Sequence, residues 1–224
     1  FRGPDGARGS RARGRFGAPR VAVVGSVHLD LVARVERLPR AGETVTDATF
    51  ARIQGGKGAN QAVACARLGA EVTLVCAVGA DPFADEALPA EERVTVAAAR
   101  VGAPTGVALI LVDATGENQI AVAPGANAEL GEVELPPSDA VLAQLEIPDA
   151  AVLSAWEQAS FFCLNAAPGR PVAADPDLTV VNRYELEALT RRDGLVALTL
   201  GAEGAVLLDD GEEVARAQPP PVDA

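Results

Sequence analysis

The chain has 224 residues, 49% hydrophobic and 22% charged, with a formal net charge of −12. That length suits one substantial α/β domain, or one domain with a small appendage. It holds no apolar run near the roughly 18 residues a membrane helix needs, and so acidic a balance disfavours nucleic acid, so a soluble protein without either partner is expected.

Residues 1–20 carry six arginines against one aspartate, which leaves −17 for the remainder. This Gly/Arg/Ala/Pro segment has no hydrophobic period and is expected to be a disordered tail, with the folded domain at 21–224. The chain opens on Phe1 and contains no methionine, so its initiator is expected to lie outside it. Cys65, Cys76 and Cys163 sit in apolar surroundings without CxxC spacing and are expected to be buried, reduced thiols.

Val21–Val27 is a β-branched run through Gly25 that suits a buried strand of a mostly parallel sheet. His28-Leu29-Asp30 follows. Ligands of open α/β sheets gather at the carboxyl ends of strands, so Asp30 stands where a hydroxyl-binding carboxylate belongs, or in an ordinary strand-end turn. His28 is the only histidine, and a lone histidine is more often packed or exposed than catalytic. Residues 31–37 and 43–53 alternate around the turn Pro39-Arg40-Ala41-Gly42 and read as a ribbon beside the main sheet.

Next comes Gly55-Gly56-Lys57-Gly58-Ala59-Asn60, which holds the chain's only lysine. Ala59, Ala62, Val63 and Ala66 then take helical spacing, and Leu68-Gly69 stops the helix. Glycines at a helix mouth leave unpaired N–H groups and a positive dipole end open to an oxygen-rich ligand. A turn that merely packs a helix on a sheet explains the glycines equally well. A P-loop is excluded by Ala51 and Gly58, and a dinucleotide fingerprint by Gln61.

Glu71–Gly79 is a second buried strand, and Asp81-Pro82-Phe83 opens a helix that Pro89 cuts short. Gly106–Asp113 and Asn118–Val122 form a hairpin around Gly116. Residues 140–145 make a strand that places Glu146 at its carboxyl end; a helix at 149–159 and strands at Phe161–Leu164 and Leu178–Val181 follow. Asn182 and Glu185 have helix-capping spacing, and the same carboxylate would equally hold a metal or its water near phosphates. Strands at Leu195–Leu200 and Ala205–Leu208 and a turn at Asp210-Gly211 lead to a last short strand.

Residues 20–224 resemble the ribokinase family of carbohydrate kinases, of the phosphofructokinase-B type. The most specific stretch is GETVTDATFARIQGGKGANQAVACARLGA at 42–70. PTGVALILVDATGENQIAVAPGANAEL at 104–130, QLEIP at 144–148 and TLGAEGAVLL at 199–208 extend it. The resemblance implies an α/β fold with a mostly parallel sheet flanked by helices, and a small β lid at about 31–53 and 106–123 that forms a homodimer contact. It also implies transfer of the ATP γ-phosphoryl group to the primary hydroxyl of a sugar, ribose foremost, in the cytoplasm, with Mg2+ and with K+ as activator.

Carried over by position, His28, Asp30, Gly56, Lys57, Asn60 and Glu146 fall on sugar-binding places. Asn182, Thr199 and Gly201 fall on nucleotide places, and Glu185 on the magnesium place. His28 stands where the family has asparagine, which opens the acceptor to another sugar or a nucleoside. Arg183 replaces an acidic residue. Segments after Leu88, around 157–160 and between Leu189 and Leu195 are short for the family, which predicts a partly uncovered sheet face. The family's second signature, DTxGAGD with its catalytic aspartate and anion hole, has no match up to Ala224, and Asp223 precedes it. The C-terminal part of the fold is therefore expected to be missing and the chain inactive as a kinase; a non-catalytic sugar-binding or regulatory role is the alternative.

Overall fold

A computed structural model describes residues 17–189 and 193–219. Most of the tail expected at 1–20, and Asp223, lie outside them. In chain order the strands are β1 (Arg20–Val24), β2 (His28–Arg34), β3 (Thr49–Gly55), β4 (Glu71–Val78), β5 (Val94–Arg100), β6 (Gly106–Val112), β7 (Asn118–Ala123), β8 (Ala140–Gln144), β9 (Phe162–Asn165), β10 (Leu178–Asn182), β11 (Leu195–Thr199), β12 (Ala205–Asp209) and β13 (Glu212–Ala217). The α-helices are α1 (Lys57–Arg67), α2 (Phe83–Ala87), α3 (Asp149–Glu157) and α4 (Arg183–Ala188). β1 thus begins at the last residue of the segment expected to be disordered.

The larger sheet has nine strands in the order β13-β12-β11-β10-β9-β8-β1-β4-β5. It is parallel from β5 to β11 and antiparallel at β12 and β13. Alternation divides its side chains between two cores. Ala22, Val24, Phe162, Leu164, Val181 and Val196 pack on one side with Ala151, Val152 and Ala155 of α3. Val23, Leu74 and Cys76 pack on the other with Ala59, Ala62 and Ala66 of α1.

This second core stops at β8 among the described residues. Beyond it Cys163, Val180, Ala197 and Leu207, which face the α1 side by alternation and register, are only half-buried. Of the three cysteines, Cys76 alone is buried, and burial pushes its thiol up to about 12. Cys65 and Cys163 are half-buried, contrary to expectation, because this side of the sheet is incompletely covered.

A smaller sheet, β3-β2-β6-β7, stands beside the first. β2 pairs antiparallel with β3 and parallel with β6, and β6 pairs antiparallel with β7. Its strands occupy the segments expected for the ribbons with shifted bounds: β2 already begins at His28, and β3 only at Thr49. The strand expected to run to Val27 ends at Val24. There a Cβ on Gly25 would lie 2.7 Å from the Gly58 Cα. The Val27 N–H and C=O both bond the Asn127 side chain, at 2.9 Å each, in place of a neighbouring strand. Edge strand β5 was not read from its Ala-rich sequence.

Candidate active site

Of the expected site residues, Glu146, Asn182, Thr199 and Gly201 stand at the carboxyl ends of the large sheet's strands, whereas His28 and Asp30 lie on β2 of the smaller sheet and Gly56, Lys57 and Asn60 at the start of α1. β1 leads to Ser26, β8 to Glu146, β10 to Asn182 and β11 to Thr199. β9 separates β8 from β10, which puts the Glu146 strand about 10 Å from the Asn182 strand at ordinary strand spacing.

The group expected at the sugar is built at the mouth of α1. Gly56 takes a φ of +92°, which glycine adopts without a Cβ penalty, and a side chain there would meet the Ser26 carbonyl oxygen at 2.7 Å. The turn sets Lys57 against Glu146. Lys57 Nζ lies 3.4 Å from Glu146 Oε1, and the Lys57 N–H donates to Oε2 at 3.2 Å. The first turn of α1 has no acidic side chain of its own. Glu146 supplies the negative charge that the helix dipole favours there, so the anion place at this helix mouth is already filled from within the protein.

His28 and Asp30 share one face of β2. His28 is 3% exposed. Its Nε2 and the Asp30 Oδ1 are buried without a hydrogen-bond partner. Burial lowers the His28 pKa below its ordinary 6.5, against the opposing charges of Glu146 and Asp30, while Lys57 lowers it further. Burial raises the Asp30 pKa above 3.8; His28 opposes this and Glu146 adds to it. His28, Asp30, Lys57 and Glu146 thus form one electrostatic cluster. Each buried orphan costs about 1–3 kcal/mol, so two side by side fit a ligand rich in hydroxyls, which can donate and accept at once. Asn60 does not join them by any hydrogen bond; it is exposed in the first turn of α1.

Three residues not singled out from the sequence support this cluster. Ser26 donates to Glu146 Oε2 at 2.6 Å. Asn127 holds both polar groups of Val27, the residue before His28. Gln144 Nε2 donates to the Val24 carbonyl at 3.1 Å, and its buried Oε1 has no partner. Their partners are 100 to 120 positions away, so no local signal marks them.

The second group is half-buried to exposed. Asn182 Oδ1 accepts from the Glu185 N–H at 2.9 Å, and Glu185 Oε2 accepts from the Asn182 N–H at 2.8 Å, a complete capping box. Asn182 pairs in register with Thr199, whose hydroxyl donates to the Val181 carbonyl at 3.2 Å. Gly201 has a φ of +60° and faces open space. Arg183 pairs with Glu203 at 3.2 Å. No group of three His, Cys, Asp or Glu side chains able to hold a metal occurs among the described residues. Magnesium bound through nucleotide phosphates and waters needs only one or two carboxylates, so Glu185 alone is compatible with it.

A sequence profile described as pfkB family carbohydrate kinase matches residues 18–224. Ribokinase of Lactococcus lactis subsp. lactis is 37% identical over 224 residues, covering 86% of this chain and 73% of that protein. The crystal structure of ribokinase from Thermotoga maritima superposes with a TM-score of 0.77 at 30% identity, over 92% of this chain and 80% of that one. Arabidopsis thaliana ribokinase complexed with ribose and ATP gives a TM-score of 0.72 at 27% identity, over 91% of this chain and 78% of that one.

Proposed function

The chain belongs to the pfkB family of carbohydrate kinases and is of ribokinase type, and from that premise we propose that its acceptor is ribose, converted with ATP to ribose 5-phosphate. The observation that carries the reading is the pair of buried, unpartnered atoms on His28 and Asp30 beside the Lys57–Glu146 ion pair. Asp30 and Glu146 accept hydrogen bonds from the sugar hydroxyls, Lys57 donates to them, and Gly56 lets the sugar approach the backbone closely. Asn60, exposed in the first turn of α1, adds a further hydrogen bond to the sugar hydroxyls. Asn182, Thr199 and Gly201 receive the nucleotide, and Glu185 a magnesium ion that neutralises phosphate charge; K+ is an activator. Phosphoryl transfer depends above all on positioning and charge neutralisation, which a site divided between two groups of residues supplies.

The exposed face of the smaller sheet, with Phe50, Leu109 and Ile120 each more than half exposed, supports its use as a lid and homodimer contact in a cytoplasmic enzyme. Residues 1–224 taken alone bind sugar without turnover, since no residue in them matches the family's base or anion hole. A base contributes roughly 10²–10⁴ and one anion-hole donor roughly 10²–10³ in rate. His28 favours a second reading, in which the sugar is not ribose, because an imidazole fills space that the smaller asparagine leaves open.

Calorimetry of residues 1–224 with ribose and related sugars, run beside an assay for ADP release, tests both parts. Ribose binding without ADP release is expected. Turnover at the roughly 1–100 s⁻¹ typical of kinases contradicts the inactivity, and preference for another sugar replaces ribose.

A further inference from the structure

Ser26 is outside the residues assigned to the sugar, yet its side chain is wholly buried. It sits on the crossing from β1 to β2 and touches two other elements. Its hydroxyl donates to Glu146 Oε2 at 2.6 Å, the short length expected of O–H donating to a carboxylate. Its Oγ lies 3.4 Å from the Gly58 N–H, and its carbonyl accepts from the Ala59 N–H at 3.0 Å. A single residue therefore ties the first turn of α1 to a carboxylate that follows β8.

The two Glu146 oxygens are held differently. Oε2 has two donors, the Ser26 hydroxyl and the Lys57 N–H. Oε1 faces only the Lys57 ammonium at 3.4 Å, so it retains lone-pair capacity for a ligand hydroxyl. The ammonium ends a long, 38% exposed side chain, whereas the Ser26 hydroxyl is short and enclosed. Of the two, the serine defines where the carboxylate points.

We propose that Ser26 is a positioning residue for the acceptor site: by anchoring Oε2 against the mouth of α1, it aims Oε1 of Glu146 at the bound sugar. This rests on the sugar-kinase reading above. Loss of the hydroxyl leaves Oε2 with one long hydrogen bond, and the carboxylate turns away from the sugar.

Two readouts on residues 1–224 test it: the Lys57 amide resonance, which reports the Oε2 contact, and ribose affinity by calorimetry. In Ser26→Ala the Lys57 amide shifts and ribose binds about tenfold more weakly, the scale of one hydrogen bond to a charged group. Ser26→Thr, which keeps the hydroxyl, stays near wild type. In a Glu146→Gln background Ser26→Ala costs far less, since both changes act through one carboxylate. If Ser26→Ala does not fold, Ser26→Cys, whose thiol is a weak donor, takes its place. A folded Ser26→Ala with an unmoved Lys57 amide overturns the proposal whether or not ribose binds, and so do additive losses in the double substitution. Wild-type protein that binds no sugar overturns the acceptor reading instead, and the Lys57 amide alone then decides whether Ser26 controls Glu146.

Discussion

At the mouth of α1, His28 Nε2 and Asp30 Oδ1 are buried with nothing to bond, whereas at the start of α4 Asn182 and Glu185 complete one another in a capping box. The first arrangement is costly unless a ligand finishes it; the second needs none. The large sheet has the same asymmetry. Around β1, β4 and β8 it is packed on both faces, while from β9 to β12 the described residues cover one face only. Geometry by itself therefore calls for a ligand at the mouth of α1 and not at the start of α4.

The largest expected effect comes from breaking the packing under the acceptor side. A Cβ on Gly58 would lie 2.5 Å from the Gly25 carbonyl carbon and 2.7 Å from the Ser26 nitrogen, all backbone. Gly58→Ala must push α1 off the sheet, at about 3 kcal/mol. A drop in Tm of roughly 6–12 °C by calorimetry checks it, and an unchanged Tm would mean that the helix is not seated so closely. Asn182→Ala on the other side should remove a cap worth about 1 kcal/mol and leave ribose affinity untouched. A loss of ribose affinity there would join the two halves more closely than their bonding suggests.

The smallest effect is one of pH. Because burial depresses the His28 pKa, the unfolded chain takes up the proton first as pH falls. Stability held above the ordinary 6.5 is thus lost as pH drops through it toward the folded value. Chemical denaturation at several pH values should show this loss in the wild type and less of it in His28→Asn. An equal loss in both would place its origin elsewhere.

Most of the fold was legible from apolar runs and their punctuation. Val21–Val24 and Glu71–Val78 read as buried parallel strands because they are apolar on both faces, and the glycines at 55–58 marked the start of α1. β5 escaped because VTVAAAR has little β-branched or aromatic content beyond its first residues. That Val27 lies outside β1 escaped for another reason: its N–H and C=O bond Asn127, 100 residues on. Ser26 and Gln144 belong to the same class, since a buried hydroxyl or amide gains its meaning from a partner that only the folded chain brings near. Asn182 and Glu185 were legible as a cap because capping is local.

His28 is the only histidine of the chain, so its imidazole gives a single, unambiguous set of ring resonances. In the proposed acceptor site its unpartnered Nε2 faces the sugar. Titrating ribose into 15N-labelled residues 1–224 should shift the Nε2 signal progressively to saturation, as a hydroxyl takes up the missing hydrogen bond. An imidazole spectrum unchanged while calorimetry registers ribose bound would put the sugar elsewhere and contradict the account.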